Sequence, residues 1–398
     1  MNHVPLRDLC SFRHGGTPSK ASPAFWQGNI PWVSPKDMKS TLIEDATDHI
    51  SEEAVSGSAT SVVPPGTILV VVRSGILAHS LPIAQVGRSV AFNQDIKAII
   101  PASELVSADF LFWFLRSQAM RVIARGVKKG ATVHSLQSGF IENLLVPVPP
   151  LDAQRLVVDI LSRAEGIVRL RREAELKAAK LIPAIFIDMF GDPARNPRRW
   201  PIVRLTDISK VQGGLQVTSK RASLPLERPY LRVANVYRSR LDLRELKYIR
   251  LTEAELKRTR LEYGDLLFVE GHGNPQEVGR VAVWNGSIQE CTHQNHLIRA
   301  RPLRESLLPF YACVLLNSDG GRQSLIRAGK TTSGLSTISA QNVKDAAVML
   351  PPVELQREFE LRAESAESIL RQQSEALCKA TATFDALLAR AFDPAASL

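Results

Sequence analysis

The chain repeats itself at a constant offset, and this repeat constrains its fold more than any other feature. The sequence Pro-Pro-Leu-Asp-Ala-Gln-Arg at 149–155 returns as Pro-Pro-Val-Glu-Leu-Gln-Arg at 351–357, an offset of 202 (351 − 149). The register then holds without a gap as far as Phe190 and Phe392. A period near half the chain indicates duplication of a whole domain with its connecting element. The repeat therefore predicts a pseudo-twofold molecule and a partner with two similar faces.

The segments between these repeats are related more weakly. Residues 30–33 align with residues 228–231 at an offset of 198, which also pairs Asp37 with Asn235. Further along, Gln94 and its neighbours align with Gln294 at an offset of 200. The apolar skeleton is shared and the polar side chains differ, which predicts one scaffold that presents two different recognition surfaces.

Composition favours two globular domains without a membrane segment. A chain of 398 residues exceeds one ordinary hydrophobic core, and its apolar fraction of 44% is typical of a soluble protein. We find neither a bilayer-length apolar run nor a signal-peptide core, so we expect a cytoplasmic protein. The four cysteines lack the CxxC spacing of a zinc ribbon, so we expect free thiols.

The net charge of +10 is unevenly distributed. The number of Lys and Arg residues less the number of Asp and Glu residues gives a net charge of +2 over 1–148, +3 over 149–200, +8 over 201–350 and −3 over 351–398. A strongly basic module favours a polyanion such as nucleic acid as its partner. The acidic last segment is better suited to contact with a protein.

Two long amphipathic helices are predicted, over about 152–190 and 354–392, each beginning just after a proline pair. Pro183 should kink the first helix, which ends at Gly191. We expect the two helices to pack antiparallel as a coiled coil along heptad seams. The large apolar residues expected to pair the helices are Ile160, Ile167, Leu181, Ile369 and Leu387.

Several motifs resemble the specificity subunit of type I restriction-modification systems. The segment 26–38, Trp-Gln-Gly-Asn-Ile-Pro-Trp-Val-Ser-Pro-Lys-Asp-Met, follows Gly-Gly-Thr-Pro-Ser at 15–19 and is similar to the opening of a target recognition domain in that family. The Pro-Val-Pro-Pro-Leu sequence at 147–151 and the Phe-Gly end at 190–191 are similar to the two ends of the family's helical region. Because the second half repeats both elements, the resemblance covers essentially the whole chain.

The resemblance implies a non-catalytic subunit that binds double-stranded DNA. Two recognition domains would each read one part of a split, asymmetric target. The helices would act as a spacer and dock two methyltransferase subunits, which motor-nuclease subunits can join. The methyl donor, ATP and magnesium are then expected only on partner subunits, and no cofactor or metal on this chain.

The fold class expected is α+β, with two mixed α/β target recognition domains joined by the two long antiparallel helices. The predicted parts are recognition domain 1 (1–148), helical spacer 1 (149–191), a linker (192–200), recognition domain 2 (201–350), helical spacer 2 (351–392) and a tail (393–398).

Cationic side chains are expected at DNA phosphates, and short polar side chains at base edges. The phosphate candidates, with neighbouring hydroxyl residues, are Lys36, Arg73, Lys128, Lys129, Thr132, Arg232, Arg238, Lys330 and Thr331. The base-contact candidates are Ser34, Asp37, Gln94, Asn235, Asn274 and Gln294.

Two other motifs favour no separate site. The stretch 324–331 is one residue away from a phosphate-binding P-loop, but it is predicted to end a helix, whereas a P-loop opens one. Cys291, His293 and His296, with His272 nearby, could suggest a metal site, but alternation along a strand lets at most two of them converge.

Catalytic motifs for methyl transfer or nuclease chemistry are missing from the sequence. Two alternatives to a specificity subunit stay open at this point. One is the specificity half of a fused restriction-modification enzyme, and the other is a helical interaction scaffold that does not bind DNA.

Overall fold

A computed structural model describes residues 2–130, 132–303, 305–332 and 335–392. The tail predicted at 393–398 lies outside these residues. The chain divides into two compact units: one comprises the residues up to Arg172 together with those from Glu375 onward, and the other is Glu173–Ser374. In the described part of the chain, no helix is long and apolar enough to cross a membrane.

The globular segment of the first unit consists of short strands and four short helices. Its strands are β1 (His3–Pro5), β2 (Cys10–His14), β3 (Ile30–Val33), β4 (Leu42–Ile43), β5 (Asp48–Ile50), β6 (Val62–Val63), β7 (Ile68–Val71), β8 (Arg73–Ser74), β9 (Ile83–Val86), β10 (Val90–Phe92), β11 (Ile96–Pro101), β12 (Val127–Lys128), β13 (His134–Leu136) and β14 (Leu145–Pro147). Its helices are α1 (Leu6–Leu9), α2 (Glu52–Ser56), α3 (Ala108–Ser117) and α4 (Ala119–Gly126). Two longer helices follow in the sequence, α5 (Leu151–Ala178) and α6 (Leu181–Phe190).

The core of the first unit is built on a five-stranded sheet of order β2-β11-β7-β9-β4. Its central strand β7 is an unbroken apolar run and is completely buried, as expected for a strand covered on both faces. Gly66 precedes this strand with φ +82°, a left-handed conformation that costs glycine little. Phe110, Trp113 and Phe114 of α3 belong to the same core. The other sheets are β5-β3-β10-β6, β12-β13-β8 and the pair β1-β14.

The second unit contains the remaining elements. Its strands are β15 (Ile202–Arg204), β16 (Ser209–Gly213), β17 (Leu226–Leu231), β18 (Val236–Tyr237), β19 (Arg240–Leu241), β20 (Lys247–Leu251), β21 (Leu266–Val269), β22 (Gly271–His272), β23 (Val281–Val283), β24 (Thr292–His293), β25 (Leu297–Pro302), β26 (Lys330–Thr332), β27 (Leu335–Thr337) and β28 (Ala347–Met349). Its short helices are α7 (Glu253–Thr259), α8 (Pro309–Asn317), α9 (Gln323–Ala328) and α10 (Ala340–Lys344). The last helix described, α11 (Val353–Ala391), begins in this unit, and its residues from Glu375 onward belong to the first.

The sheets of the second unit have the orders β16-β25-β21-β23, β20-β17-β24, β22-β27-β26 and β15-β28. Each has the strand order of a sheet in the first unit, and the two larger sheets have one edge strand fewer. The hairpin β18-β19 is additional. The similar polypeptide skeleton of the two segments is thus visible as a similar order of strands.

Strand pairing corrects one detail of the internal alignment. Parallel pairing places Phe92 opposite Val33 and His293 opposite Leu231. Because Val33 and Leu231 are counterparts at an offset of 198, Phe92 corresponds to His293, an offset of 201 (293 − 92). The expected offset of 200 matched two glutamines, whereas the backbone matches Asn93 to Gln294.

The first helical segment is interrupted where one helix over 152–190 was expected. Helix α5 ends at Ala178, and α6 begins at Leu181. Pro183 cannot donate a hydrogen bond to the carbonyl of Ala179, four residues earlier, and its ring crowds that carbonyl. The counterpart of Pro183 is Asp385, and α11 passes through that position without interruption.

The buried face of the helices differs in phase from the expected seam. Ile160, Ile167 and Ile369 are 42%, 53% and 43% exposed, so these three do not form a buried seam. Leu181 and Leu387 are half-buried. The neighbouring Leu161 is 1% exposed instead, and lies in the core of the first unit.

Aromatic side chains explain this phase, because the helices also pack on the globular segments. In the first unit, Phe392 packs on Phe110, with ring centroids 5.3 Å apart. In the second unit, its counterpart Phe190 packs on Tyr311 at 4.9 Å. A heptad seam that assumes only a partner helix does not predict the helix surface that packs on the globular segment.

One glutamine at the start of each helical segment ties it to its globular segment. Gln154 Oε1 accepts from Ser107 N at 3.0 Å, and its Nε2 donates to the carbonyls of Leu105 and Pro149 at 2.7 and 2.9 Å. Gln356 makes the corresponding three bonds in the second unit, to Leu308 N and the carbonyls of Ser306 and Pro351, at 2.9, 3.0 and 2.9 Å. Both side chains are fully buried. The identical glutamines in the repeated sequence therefore anchor helix to domain.

Candidate nucleic-acid interface

Two equivalent turns follow strands β3 and β17, and each is held by a predicted base-contact residue. In the first turn, Asp37 Oδ2 accepts from Ser34 N and Oγ at 3.0 and 2.8 Å, and Oδ1 accepts from Thr47 N and Oγ1 at 3.0 and 2.6 Å. Burial raises the pKa of Asp37, but the hydrogen bonds from Thr47 and Ser34 outweigh burial and hold it below its ordinary value. Asp37 and Ser34 thus have partners within the protein.

In the second turn, Asn235 is 2% exposed and its amide is engaged internally. Its Oδ1 accepts from Arg232 N at 2.9 Å, and its Nδ2 donates to the carbonyls of Asp242 and Glu245 at 2.8 and 2.9 Å. The structure therefore gives Asn235 a turn-stabilising role in place of the predicted base contact, because its polar atoms face the protein interior.

The small sheet β12-β13-β8 brings several candidates of the first domain together. Lys128 pairs with Ser135, and Ser135 pairs with Arg73 on its other side. Directly opposed residues of adjacent antiparallel strands face the same side of a sheet, so these three form one row. Lys129 and Thr132 follow in the adjoining loop and are exposed. Ala131, between them, lies outside the described residues.

The corresponding sheet β22-β27-β26 has the same register in the second domain. Lys330 pairs with Thr337, and Thr337 pairs with Gly271. Thr331 is aligned with Ser336 in the next row. The backbone of Lys330 and Thr331 is described, and their side chains lie outside the described part of the structure.

The remaining candidates are dispersed, and most have partners within the protein. Gln94 is exposed and accepts from Thr17 Oγ1 at 2.5 Å, and Lys36 Nζ donates to Asp48 at 2.7 Å. Arg232 donates to Glu245 at 2.6 Å. Further contacts are those of Arg238 with the carbonyls of Gln276 and Asn317, and of Asn274 Oδ1 with Gln276 N at 3.0 Å.

Each domain also has a pair of polar side chains at the edge of a shallow depression. The sequence predicted neither pair, although it named Arg73 as a phosphate candidate. In the first domain, Arg73 Nε donates to Asp95 Oδ1 at 2.6 Å. Both residues line a depression of about 500 Å³. In the second domain, Glu270 Oε2 lies 2.9 Å from His296 Nδ1, and both line a depression of about 710 Å³, next to a further hollow that Gln294 lines. Only the backbone pairing, with its corrected offset, identifies Asp95 and His296 as counterparts.

The histidine and cysteine cluster is part of the second domain's interior. His293 is fully buried, and burial together with the nearby Arg299 lowers its pKa to about 4. Burial raises the pKa of Cys291 to about 12, which keeps its thiol neutral. No group of three or more His, Cys, Asp or Glu suited to a metal ion occurs among the residues described. All four cysteines are free.

The P-loop-like stretch has the wrong local structure for a phosphate loop. Helix α9 occupies Gln323–Ala328 and strand β26 follows at Lys330–Thr332. A P-loop connects a strand to the start of a helix, which is the reverse order.

Comparison with known proteins agrees with this arrangement. Residues 1–178 match the model of the family described as type I restriction modification DNA specificity domain. Over these residues the chain is similar to a type I restriction-modification specificity domain. The resemblance inferred from the sequence motifs is therefore found again over residues 1–178.

The relatives matched by sequence are specificity subunits. The EcoR124I/EcoR124II specificity subunit of Escherichia coli is 38% identical over 178 residues, 43% of this chain and 44% of the relative. The EcoKI specificity subunit of Escherichia coli K12 is 26% identical over 316 residues, 74% of this chain and 67% of the relative. The match to the first of these relatives thus spans less than half of its length.

Solved structures share the fold over nearly the whole chain. The type I restriction-modification S subunit from M. genitalium superposes with a TM-score of 0.53 at 14% identity, covering 98% of this chain and 96% of that one. A chain from a type I R-M system, described for its complex assembly and conformational transition, gives a TM-score of 0.64 at 19% identity, covering 99% and 97%. The chain thus shares the mixed α/β fold of these S-subunit structures.

Proposed function

We propose that this chain is a non-catalytic, sequence-specific DNA-binding subunit of a type I restriction-modification complex. Its two recognition domains, 1–148 and 201–350, read the two parts of a split, asymmetric target. The observation that carries this proposal is the pair of three-stranded sheets with the same register and different side chains. The same backbone row holds Arg73 in one domain and Gly271 in the other, so equivalent surfaces present different chemistry to DNA.

We infer further that the chain is a duplication with pseudo-twofold symmetry. Support comes from the matching strand orders and from the glutamine anchors Gln154 and Gln356, which make corresponding sets of bonds. The parts of the duplication are those expected from the sequence, with helical spacers at 149–191 and 351–392 and a linker at 192–200.

The helical spacers form an antiparallel pair in this proposal. Within the second unit, Glu175 Oε1 accepts from Ser374 Oγ at 2.5 Å, and the rings of Phe186 and Phe359 lie 5.5 Å apart. As the first helical segment advances from 175 to 186, its contacts on the other move backward from 374 to 359. An antiparallel pair has this relation, and its length sets the spacing between the two half-sites.

The exposed side of the helices is the docking surface for two methyltransferase subunits in this proposal. Leu156, Ile160, Ile167 and Leu170 leave apolar side chains exposed along α5, and such side chains favour a protein partner. Motor-nuclease subunits join that assembly. The methyl donor, ATP and magnesium are held by partners, and the complex acts in the cytoplasm on DNA.

Sequencing of methylated sites in cells that express the full chain with its modification subunits tests this function. The expected motif has two specific parts separated by a fixed number of unspecified base pairs. A single contiguous motif, or methylation that does not depend on this chain, would contradict a two-domain reader.

A further inference from the structure

The polar pairs lie at equivalent depressions, and one member of each pair, Asp95 or His296, is a strict counterpart of the other. Val72 N donates to the carbonyl of Asp95 at 2.8 Å, and Glu270 N donates to the carbonyl of His296 at 3.0 Å. Val72 and Glu270 are counterparts at an offset of 198, so Asp95 corresponds to His296. The linings agree as well, because Arg73 and Ser135 line the first depression while their sheet counterparts Gly271 and Thr337 line the second.

In the first domain, this position presents hydrogen-bond donors. Arg73 Nε is held by Asp95, and within the described ranges Nη1 and Nη2 make no other hydrogen bond. About half of the Arg73 side chain is exposed, while Asp95 is more buried and also accepts from Asn93 Nδ2 at 3.2 Å. The carboxylate therefore fixes the direction of the guanidinium, and two parallel N–H groups remain for a ligand. Such a fork matches the O6 and N7 acceptors of guanine in the major groove.

In the second domain, the corresponding depression presents an acceptor, on Glu270, the residue before the counterpart of Arg73. Glu270 Oε2 is held by His296 Nδ1, and in the described chain Oε1 has no hydrogen-bond partner. Here the carboxylate, Glu270, lies beside the strand and its partner His296 lies in the turn. In the first domain the carboxylate, Asp95, lies in the turn and its partner Arg73 in the strand. A fixed carboxylate oxygen accepts a hydrogen bond from the exocyclic amino group of cytosine.

We propose that these depressions are base-discriminating subsites, in which Arg73 selects a guanine in one half-site and Glu270 selects a cytosine in the other. Asp95 and His296 are positioning residues that orient them. This inference rests on the proposed function and names the residues and bases that carry out the reading.

Ion pairing favours base contact over phosphate contact at these positions. Arg73 shares its charge with Asp95, which weakens its attraction for a phosphate, and Glu270 would repel one. The exposed cation Lys128, in the same row as Arg73, is better suited to the backbone. A lysine that neutralises a phosphate positions the DNA, whereas a fixed polar pair in a hollow distinguishes base edges.

The test selects DNA with the full chain assembled with its modification subunits. Duplexes with randomised base pairs are bound, and the retained molecules are sequenced to give the two half-site motifs. Arg73→Gln should reduce guanine preference at one position of one half-site by roughly ten-fold or more. Glu270→Gln should reduce cytosine preference at one position of the other half-site by a similar factor, because the amide no longer offers a carboxylate.

Two further variants separate base reading from folding and from charge. Arg73→Lys keeps the charge but loses the two-pronged donor, so guanine preference should fall while total DNA retention at a given salt concentration stays the same. Arg204→Gln is the matched control, since its Nε also donates to a carboxylate, Asp207 Oδ2 at 3.4 Å, and this exposed pair lies at β15, outside both depressions. It should leave both motifs unchanged.

Several results would overturn the inference. An intact guanine preference in Arg73→Gln or in Arg73→Lys would show that Arg73 does not read the base, as would a wild-type motif with no guanine in the affected half-site. Changes in the same half-site from Arg73→Gln and Glu270→Gln would also contradict it. A wild-type assembly that enriches no motif at all would instead overturn the proposed function itself.

Discussion

At the scale of single residues, the two recognition domains use polar side chains first to hold their own turns. Asp37 and Asn235 are counterparts, and each closes the turn after an equivalent strand through hydrogen bonds to the backbone. Both were predicted to contact bases because short polar residues in a recognition motif are suited to that role. The sequence could not distinguish the two uses, because only burial and partner atoms separate an internal cap from an outward-facing amide.

Removal of the Asn235 side chain should therefore destabilise the second domain. Asn235→Ala leaves the amide of Arg232 and two carbonyls without their partner, which costs about 1–3 kcal/mol, as measured by urea unfolding. Asn285→Ala is the matched control, because Asn285 accepts one bond from Ser287 N on the exposed surface. A changed target motif with unaltered stability would contradict the structural role of Asn235.

His293 gives the second domain a pH dependence that its counterpart Phe92 cannot give the first. Burial and the nearby Arg299 lower the pKa of His293 in the folded chain to about 4, from an ordinary value of about 6.5. The unfolded chain therefore binds a proton on this imidazole below pH 6.5, and the folded chain only below about pH 4. Stability should fall as pH falls through this window, by up to about 1.4 kcal/mol per pH unit.

His293→Phe places the residue of the first domain at this position and removes the titration. Urea midpoints measured at pH 7, 5 and 4 should decline less steeply for this variant than for the wild-type chain. Parallel declines would show that His293 does not contribute.

At the scale of elements, the sequence predicted the helical segments and their proline starts, but neither their interruption nor their buried face. Pro183 indicated a bend, and the structure ends α5 at Ala178 and starts α6 at Leu181. The buried face was wrong by one residue at Leu161, because the heptad pattern considered only a partner helix. Packing on a globular domain adds a second apolar surface, and heptad spacing contains no information about that surface.

Two neighbouring substitutions on α5 distinguish the two phases. Leu161→Asp places a charge in the first core and should prevent or severely weaken folding of that unit. Ile167→Asp alters a side chain that is 53% exposed and should change thermal stability little. Circular dichroism melting of both variants measures this difference. Equal destabilisation, or greater destabilisation by Ile167→Asp, would restore the heptad seam first expected.

At the scale of the whole molecule, the sequence repeat and the motifs were sufficient to predict the resemblance that the family model finds over residues 1–178. The 202-residue repeat was visible because the helical segments retain identical anchor residues, including both buried glutamines. The recognition surfaces were less predictable, since their side chains differ between the halves. Asp95 and Glu270 carried no motif, His296 had been considered only as a metal ligand, and only backbone pairing places them at equivalent depressions.

Replacement of one domain tests most directly whether the two domains read the two half-sites independently. Residues 1–148 are replaced by the equivalent domain of a relative, and methylated sites are mapped genome-wide in cells with the same modification subunits. Because each domain contacts its own stretch of DNA, and separated contacts contribute nearly additively, one half-site should change while the other half-site and the spacing stay the same. A change in both half-sites would contradict independent reading.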